Sequence, residues 1–383
     1  MARTLNLREA ADEYVAHRAA NQRANTVAVN TRGMAVFMEA LGPSAGRLLV
    51  KNLDTTHGAA FRRYIGAQGW QPNTINAHIT TVRGFVDWLH GGQHLHPAVN
   101  PLWGIKLESN NVKGKDKKRR LKGEDFPALL EAAHGPNRNS DGTIARDDEG
   151  NIVWHGSPHE RILCALGLYT FCRQSEIISM TVGDVHIDEE EPYIDVTVWK
   201  TDGVDEMPVC MELEAELRRW LKWYANDTAP IHGAMRDDWY LVPARQMPLI
   251  RGEGPGRCYP VYRDHGNCLP TKAIVKPERF VNKALARFGW AMRDSRGRAI
   301  PEGMHTLRRS GARALFDELK SQNFDGAMRH VMHMLHHSKQ STTEIYLGVD
   351  TDRNARNRLL SGKPMFAPKG GANVVPLRKD EAI

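Results

Sequence analysis

No uninterrupted apolar run in this 383-residue chain approaches the roughly 18 residues that a membrane-spanning helix needs. The opening stretch, MARTLNLREAADEYV, lacks the basic-then-apolar layout of a secretory signal. Five cysteines, at 164, 172, 210, 258 and 268, are odd in number and follow no framework spacing, which predicts reduced thiols in a cytosolic compartment. There is no G-x-x-x-x-G-K-[ST] phosphate loop and no acidic cluster of the two-metal kind. These absences argue against a membrane protein, a disulfide-stapled secreted domain and an enzyme driven by nucleotide hydrolysis. What remains has an ordinary globular composition, 41% hydrophobic and 25% charged, and is long enough for two domains with sizeable cores.

The net charge of +7 is modest, but its distribution is uneven. NNVKGKDKKRRLKGEDF gathers Lys113, Lys115, Lys117, Lys118, Arg119, Arg120 and Lys122 beside Asn110, Asn111 and Gly114. Such a segment is either a solvated linker or a strap for a phosphate backbone, where each neutralised phosphate releases counterions. Before it, four helices with short turns are expected. The clearest is NTINAHITTVRGFVDWLHGG, where Ile75, Ile79, Val82, Val86 and Leu89 make one apolar stripe between a cap at Asn73 or Thr74 and a stop at Gly91–Gly92. The opposite faces of this bundle carry Arg32, Arg62, Arg63 and Arg83.

A larger unit is expected from Leu121, mainly α-helical with a small β-hairpin. EDFPALLEAA is a short helix, and ERILCALGLYTFCRQSEIISMTVGDV is an apolar helix pair. PYIDVTVWKTDGVDEMPVCM alternates around a TDG turn and predicts a hairpin with Lys200 at its tip. Residues 136–157 are turn-rich and predict a surface hairpin or insertion, and 226–271 are Pro/Gly-rich and give no clear element. Helices return in KPERFVNKALARFGWAM, HTLRRSGARALFDEL and DGAMRHVMHMLHH.

Four clusters in this unit carry chemistry: TFCRQSE, WKTDG, HTLRRS and LHHSKQSTTEIY. Singly each is weak, since Glu176 can serve as the structural partner of Arg173 and a hairpin lysine is usually just solvated. In this order they resemble the tyrosine recombinases, the family of phage integrases and related site-specific DNA recombinases. That family's pattern runs TGLR-x-SE, a hairpin lysine, H-x-L-R-[RH]-[ST], then LGH-S-x-x-x-T-x-x-Y. Leu335, His337, Ser338, Thr343 and Tyr346 align with the last motif without a gap. The upstream bundle, ending in NPLWGI, is similar to the family's core-binding domain, so the resemblance spans all but 136–157 and 226–271. Two glycines of the pattern are replaced, by Phe171 and by His336.

The resemblance implies Tyr346 as nucleophile, Arg173 and Arg308 as clamps on the scissile phosphate and Lys200 as general acid for the departing 5′ oxygen. It implies proton transfer and phosphoryl hydrogen bonding for His305 and His337. Chemistry suits these types: guanidinium forks match two phosphoryl oxygens and stay charged, and a covalent intermediate conserves the energy of the broken linkage without cofactor or metal. A cationic neighbourhood is expected to favour the phenolate of Tyr346. The implied organisation is a core-binding domain over 1–107, a basic linker over 108–120, a catalytic domain over 121–360 and a tail over 361–383. Two domains would clamp duplex DNA, with Arg32, Arg62, Arg63, Arg83, Lys115, Lys117, Lys118, Arg119 and Arg120 as phosphate contacts. Four protomers would act on two attachment sites, with a directionality factor or a host DNA-bending protein as further partners, in the cytoplasm and nucleoid of a bacterial host. Val374, Val375 and Leu377 would pack on a neighbouring protomer. Because the bundle begins almost at Met1, short attachment sites without distant arm sites are expected.

Other readings use the same residues. His333 and His337 stand i, i+4 like a zinc helix, but lack an intervening glutamate and a third ligand; Cys258, His265 and Cys268 make at most half a zinc site. A type IB topoisomerase uses a similar residue set to cut one strand, a related recombinase could resolve plasmid or chromosome dimers, and an accessory protein could bind DNA without cutting it.

Overall fold

The computed structural model describes residues 4–109, 120–198, 203–245, 268–290 and 302–347, and in addition the backbone of 249–251, 258–260, 292–293 and 299–300. Two compact units divide the chain, residues 1–116 and 117–383. Lys200, the linker cations Lys115, Lys117, Lys118 and Arg119, and the tail candidates Val374, Val375 and Leu377 lie outside the described residues.

The first unit is a helical bundle. Helix α1 (Leu7–Asn21) starts on a capping box, in which Asn6 accepts from the Glu9 amide and Glu9 accepts from the Asn6 amide. Helix α2 (Ala24–Leu41) ends at Gly42, and α3 (Thr55–Ala67) is capped by the Asp54 carboxylate, which accepts from the Thr56 and His57 amides. Helix α4 (Pro72–Gly91) begins earlier than the expected Asn73 or Thr74 cap. Pro72 occupies its first turn, where a missing N–H costs nothing and the fixed φ is already helical. The predicted stripe of Ile75, Ile79, Val82, Val86 and Leu89 is buried, against Tyr14, Phe37, Phe61 and Phe85. Each such side chain contributes roughly 1.5–3 kcal/mol by leaving water.

The second unit starts with α5 (Phe126–Ala133), followed by strands β1 (His134–Pro136) and β2 (Trp154–Gly156), which pair antiparallel. Residues between them form a stem closed by aspartate turns, Asp141 accepting from the Thr143 amide and Asp147 from the Asn151 amide. Helices α6 (Pro158–Tyr169) and α7 (Gln174–Ser179) come next. The predicted hairpin is β4 (Tyr193–Val198) with β5 (Gly203–Pro208), and β3 (Val185–His186) joins it to give an antiparallel sheet in the order β3-β4-β5.

Helix α8 (Met211–His232) runs into the Pro/Gly-rich stretch from Asn226 onward, which gives no clear element in the sequence. Pro230 lies within its last turn, and Trp220, Tyr224 and Thr228 continue a buried stripe at intervals of four, so packing overrides the proline. Strand β6 (Pro243–Arg245) pairs with β9 (Cys268–Ala273), and β7 (Leu249–Arg251) with β8 (Cys258–Pro260). Helix α9 (Glu278–Arg287), the pair β10 (Met292–Arg293) and β11 (Ala299–Ile300), then α10 (Gly303–Ser321), α11 (Ala327–Met334) and α12 (Gln340–Leu347) complete the unit. The architecture is mainly α with small antiparallel sheets, as expected from the sequence.

Helix α6 is the centre of this unit, with Ile162 to Leu166 and Leu168 fully buried. Helix α10 crosses it at close range. A Cβ built on Gly311 would stand 1.7 Å from the Leu168 carbonyl oxygen, so only glycine permits this approach. Arg308 lies one turn before Gly311 on α10, and Arg173 follows shortly after α6. The helix crossing thereby brings the two motifs together.

Candidate active site

Arg173 is the N-cap residue of α7, and its guanidinium Nη1 donates to Glu176 Oε1 at 2.7 Å. The other oxygen of Glu176 stands 3.6 Å from Arg308 Nη1. Glu176 is buried, so one carboxylate ties together two arginines from distant motifs. Its pairing with Arg173 was legible from the i, i+3 spacing; its reach to Arg308 was not. Arg308 is almost wholly enclosed, at 1% exposure, and its Nη2 donates to the Leu335 carbonyl at 2.7 Å. Burial lowers the pKa of this guanidinium, with the nearby Arg173 charge adding to the effect.

Tyr346 lies near the C-terminal end of α12, packed between three cationic or ionisable partners. Its ring centroid is 5.4 Å from that of His337 and 6.3 Å from that of His305, both edge-on, and the Arg308 guanidinium carbon is 5.9 Å from the ring centre. His337 Nδ1 lies 3.1 Å from the buried Thr343 hydroxyl, one turn before Tyr346, which fixes the imidazole against the helix. The structure thus brings together Arg173, His305, Arg308, His337 and Tyr346, five of the six residues picked from the sequence. Lys200 stands between β4 and β5 in the sequence.

The electrostatics differ from the sequence expectation. Burial raises the pKa of the Tyr346 phenol, and the opposing charges of Arg308, Arg309 and Arg173 do not overcome it. The phenol is therefore protonated near neutral pH. Its hydroxyl and Arg308 Nη1 are both enclosed without a well-aligned hydrogen-bond partner. Arg308 lies beside the phenol and 3.6 Å from Glu176, contacts too poorly aligned to satisfy either group fully.

The turn between α11 and α12 carries more of the site than the motif alone suggests. His336 has φ of 49°, and Phe171, before Arg173, has φ of 55°. These are the two positions where the family pattern has glycine. The backbone at both is left-handed, so the special conformation persists under larger side chains at a cost of about 1–2 kcal/mol each. Phe171 is buried against the core. His336 Nε2 stands 2.9 Å from Asp205 Oδ2 on β5.

Two further arginines grip the end of α12. Arg120 Nη2 donates to the Tyr346 carbonyl at 2.8 Å, and Arg313 Nη1 to the Leu347 carbonyl at 3.0 Å. Cations at a helix C-terminus satisfy its open carbonyls and complement its dipole. Arg120, expected to contact DNA, is thus already engaged with the end of α12; the sequence could not show this, because its partner is more than 220 positions away. In the first unit, Arg62 pairs with Glu108 and Arg83 donates to the Ile105 carbonyl, while Arg32 and Arg63 are exposed. Trp103, not singled out from the sequence, is 78% exposed, and it lines an open cleft of about 840 Å³ together with Arg62, Arg63 and Lys106.

Among the described residues no three His, Cys, Asp or Glu side chains form a metal-holding group, and no helix is long and apolar enough to cross a membrane. An apolar cavity of about 560 Å³ lined by His134, Trp154, Arg161 and Trp223 shares no residue with the cationic cluster.

No protein-family profile matches the chain, and no curated protein sequence does. Solved structures do. A lambda integrase dimer bound to a COC′ core site superposes with a TM-score of 0.57 at 14% identity, covering 91% of this chain and 79% of the other. XerH site-specific recombinase, in a post-cleavage complex with palindromic difH substrate, gives 0.56 at 16% identity, over 91% and 82%. The Tn1549 transposon integrase, in complex with a circular intermediate DNA, gives 0.55 at 14% identity, over 93% and 100%. At these identities the likeness is one of fold: the chain has the fold of the tyrosine recombinases.

Proposed function

We propose that this protein is a site-specific tyrosine recombinase, an integrase of a phage or other mobile element, that cuts and rejoins duplex DNA through a 3′-phosphotyrosyl intermediate. The observation that carries this reading is the convergence of Tyr346 with Arg308, His305, His337 and Arg173: the phenol lies beside the enclosed Arg308 guanidinium, and neither Tyr346 Oη nor Arg308 Nη1 has a well-aligned partner. A phosphodiester supplies what each lacks: non-bridging oxygens for the guanidinium, and a phosphorus for the phenolic oxygen.

In the proposed step the Tyr346 phenol loses its proton and its oxygen attacks phosphorus. The bond from phosphorus to the 5′ oxygen breaks as the new one forms, and the leaving oxygen takes a proton from Lys200. Charge gathered on the non-bridging oxygens is met by Arg173 and Arg308, donors fixed in advance by Glu176 and the Leu335 carbonyl. His305 and His337 complete the hydrogen bonding. Attack by a 5′ hydroxyl on the phosphotyrosine reverses the step, so rejoining requires no outside energy.

DNA is the proposed partner, with four protomers exchanging strands between two sites. The exposed Arg32 and Arg63 and the cleft beside Trp103 support phosphate contact by the first unit. Resolution of plasmid or chromosome dimers would use the same chemistry on other sites.

The test is to incubate the protein with nicked duplexes carrying junction sequences recovered from a host that holds the element. A covalent protein–DNA adduct that Tyr346→Phe abolishes supports the reading. Adduct formation that persists in Tyr346→Phe, or is absent from the wild type on every junction, defeats it. Relaxation of supercoils by a monomer, with no strand exchange, would point to a topoisomerase instead.

A further inference from the structure

The inner face of the β4–β5 hairpin is apolar apart from one group. Val196 and Val198 on β4 and Met207 on β5 are buried, and Asp205, in register with Val196, shares that face. An inward carboxylate needs a partner. It meets His336, whose imidazole is only 8% exposed and whose Nε2 lies 2.9 Å from Asp205 Oδ2. Burial lowers the pKa of this imidazole, so the ring is neutral near pH 7 and offers the carboxylate an N–H rather than a charge; at 2.9 Å the pair is within hydrogen-bond range, though the ring is not aligned.

The residues on either side of His336 are anchored elsewhere. The Leu335 carbonyl accepts from Arg308, and His337 Nδ1 lies beside the Thr343 hydroxyl. Three consecutive residues thus tie the turn to α10, to β5 and to α12. The charged groups around the imidazole are Asp205 from β5, Glu176 and Arg173 at α7, and Arg308 from α10. Among the described residues two acids oppose two bases, and the neutral ring is held by its close approach to Asp205. The left-handed backbone at 336 turns this side chain toward the hairpin, where a glycine would contribute nothing.

We infer that His336 is a positioning residue which, through Asp205, clasps the hairpin carrying Lys200 between its strands to the turn carrying His337. The inference rests on the reading of Lys200 as the proton donor to the 5′ oxygen. Losing the clasp leaves the nucleophile and both arginines in place and slows only protonation of the leaving group.

That distinction can be measured. When the 5′ bridging oxygen of the scissile phosphate is replaced by sulfur, the thiolate leaves without a proton. Full-length His336→Gly, Asp205→Asn, the double variant and Lys200→Ala are compared with wild type on nicked junction duplexes carrying oxygen or sulfur there. Glycine relieves the backbone at 336, and a melting curve for each variant verifies folding. Both single variants should form covalent adduct about tenfold more slowly on the oxygen substrate, a share of the roughly 10²–10⁴-fold that a placed general acid supplies. The double variant should be no slower than either single one. The sulfur substrate should restore all of them, and Lys200→Ala, to near the wild-type rate. Wild-type rates for His336→Gly on oxygen, or an equal defect on both substrates while Lys200→Ala is rescued, overturn the clasp. Failure of sulfur to rescue Lys200→Ala overturns the lysine assignment beneath it.

Discussion

Burial strengthens the hold of the Tyr346 phenol on its proton, and the surrounding cations do not reverse this. Its pKa is raised, so the folded protein binds the phenolic proton more tightly than the unfolded chain does. Stability from this group is therefore fully present below the unfolded value near 10 and is lost as pH rises through the higher folded value. Tyr346→Phe removes that loss: its advantage over wild type in thermal melts should grow above about pH 10. Near neutrality, where the phenol is protonated in both states, this difference should vanish. An advantage that does not change with pH would show the phenol to be unshifted in solution. At this scale the sequence was informative about identity and poor about state. The motif spacing named Tyr346, His337 and Arg308, but the sign of the phenol's shift depends on enclosure by residues up to 173 positions away, which no local pattern encodes.

At the scale of elements, placement of the site depends on how closely α10 approaches α6 and on what grips α12. Gly311→Ala puts a carbon into the Leu168 carbonyl, a backbone group that cannot swing aside. The helices must separate, and a loss of about 1–3 kcal/mol or more follows from overpacking. Chemical denaturation should show a lower midpoint with an unchanged slope. Arg120→Ala leaves the Tyr346 carbonyl without its donor. It should cost about 1 kcal/mol in the same assay, in the range for an end-of-helix cation with its hydrogen bond. It should also slow adduct formation on a short nicked duplex, where a residue serving only to bind DNA would be compensated by excess substrate. Most elements were legible because their patterns are local: α1 from Leu7, Ala11, Tyr14 and Val15 at helical spacing, α4 from its apolar period, the hairpin from its alternation around TDG. The end of α8 was not, because Pro230 and the polar run after Tyr224 mimic a stop, while the buried face that carries the helix on is set by Leu241 and Trp239 across the fold. The stretch over 136–157 was legible as a surface hairpin or insertion from its turn residues, and β1 pairs with β2 across it.

At the scale of the whole molecule, the proposed function requires the chain to hold a polyanion, and its cations are spread to do so by number rather than by strength. Exposed surface charges contribute little to folding, so Arg32 and Arg63 can be replaced without loss of structure. The linker cations Lys115, Lys117, Lys118 and Arg119 concentrate four charges within five positions. If each neutralises one phosphate, their joint replacement by Gln should lower the slope of log affinity against log salt by about 3.6, at roughly 0.9 per contact. Fluorescence anisotropy on duplex DNA between low and moderate salt measures this directly. The weakening should be the same on a junction sequence and on unrelated DNA, since phosphate contacts carry no sequence information. A slope that does not change would make the segment a solvated connector and move the phosphate contacts to the two units themselves. A change confined to the junction sequence would mean that the segment reads bases, a role that demands side chains fixed against base edges in a groove rather than contacts to the phosphates alone.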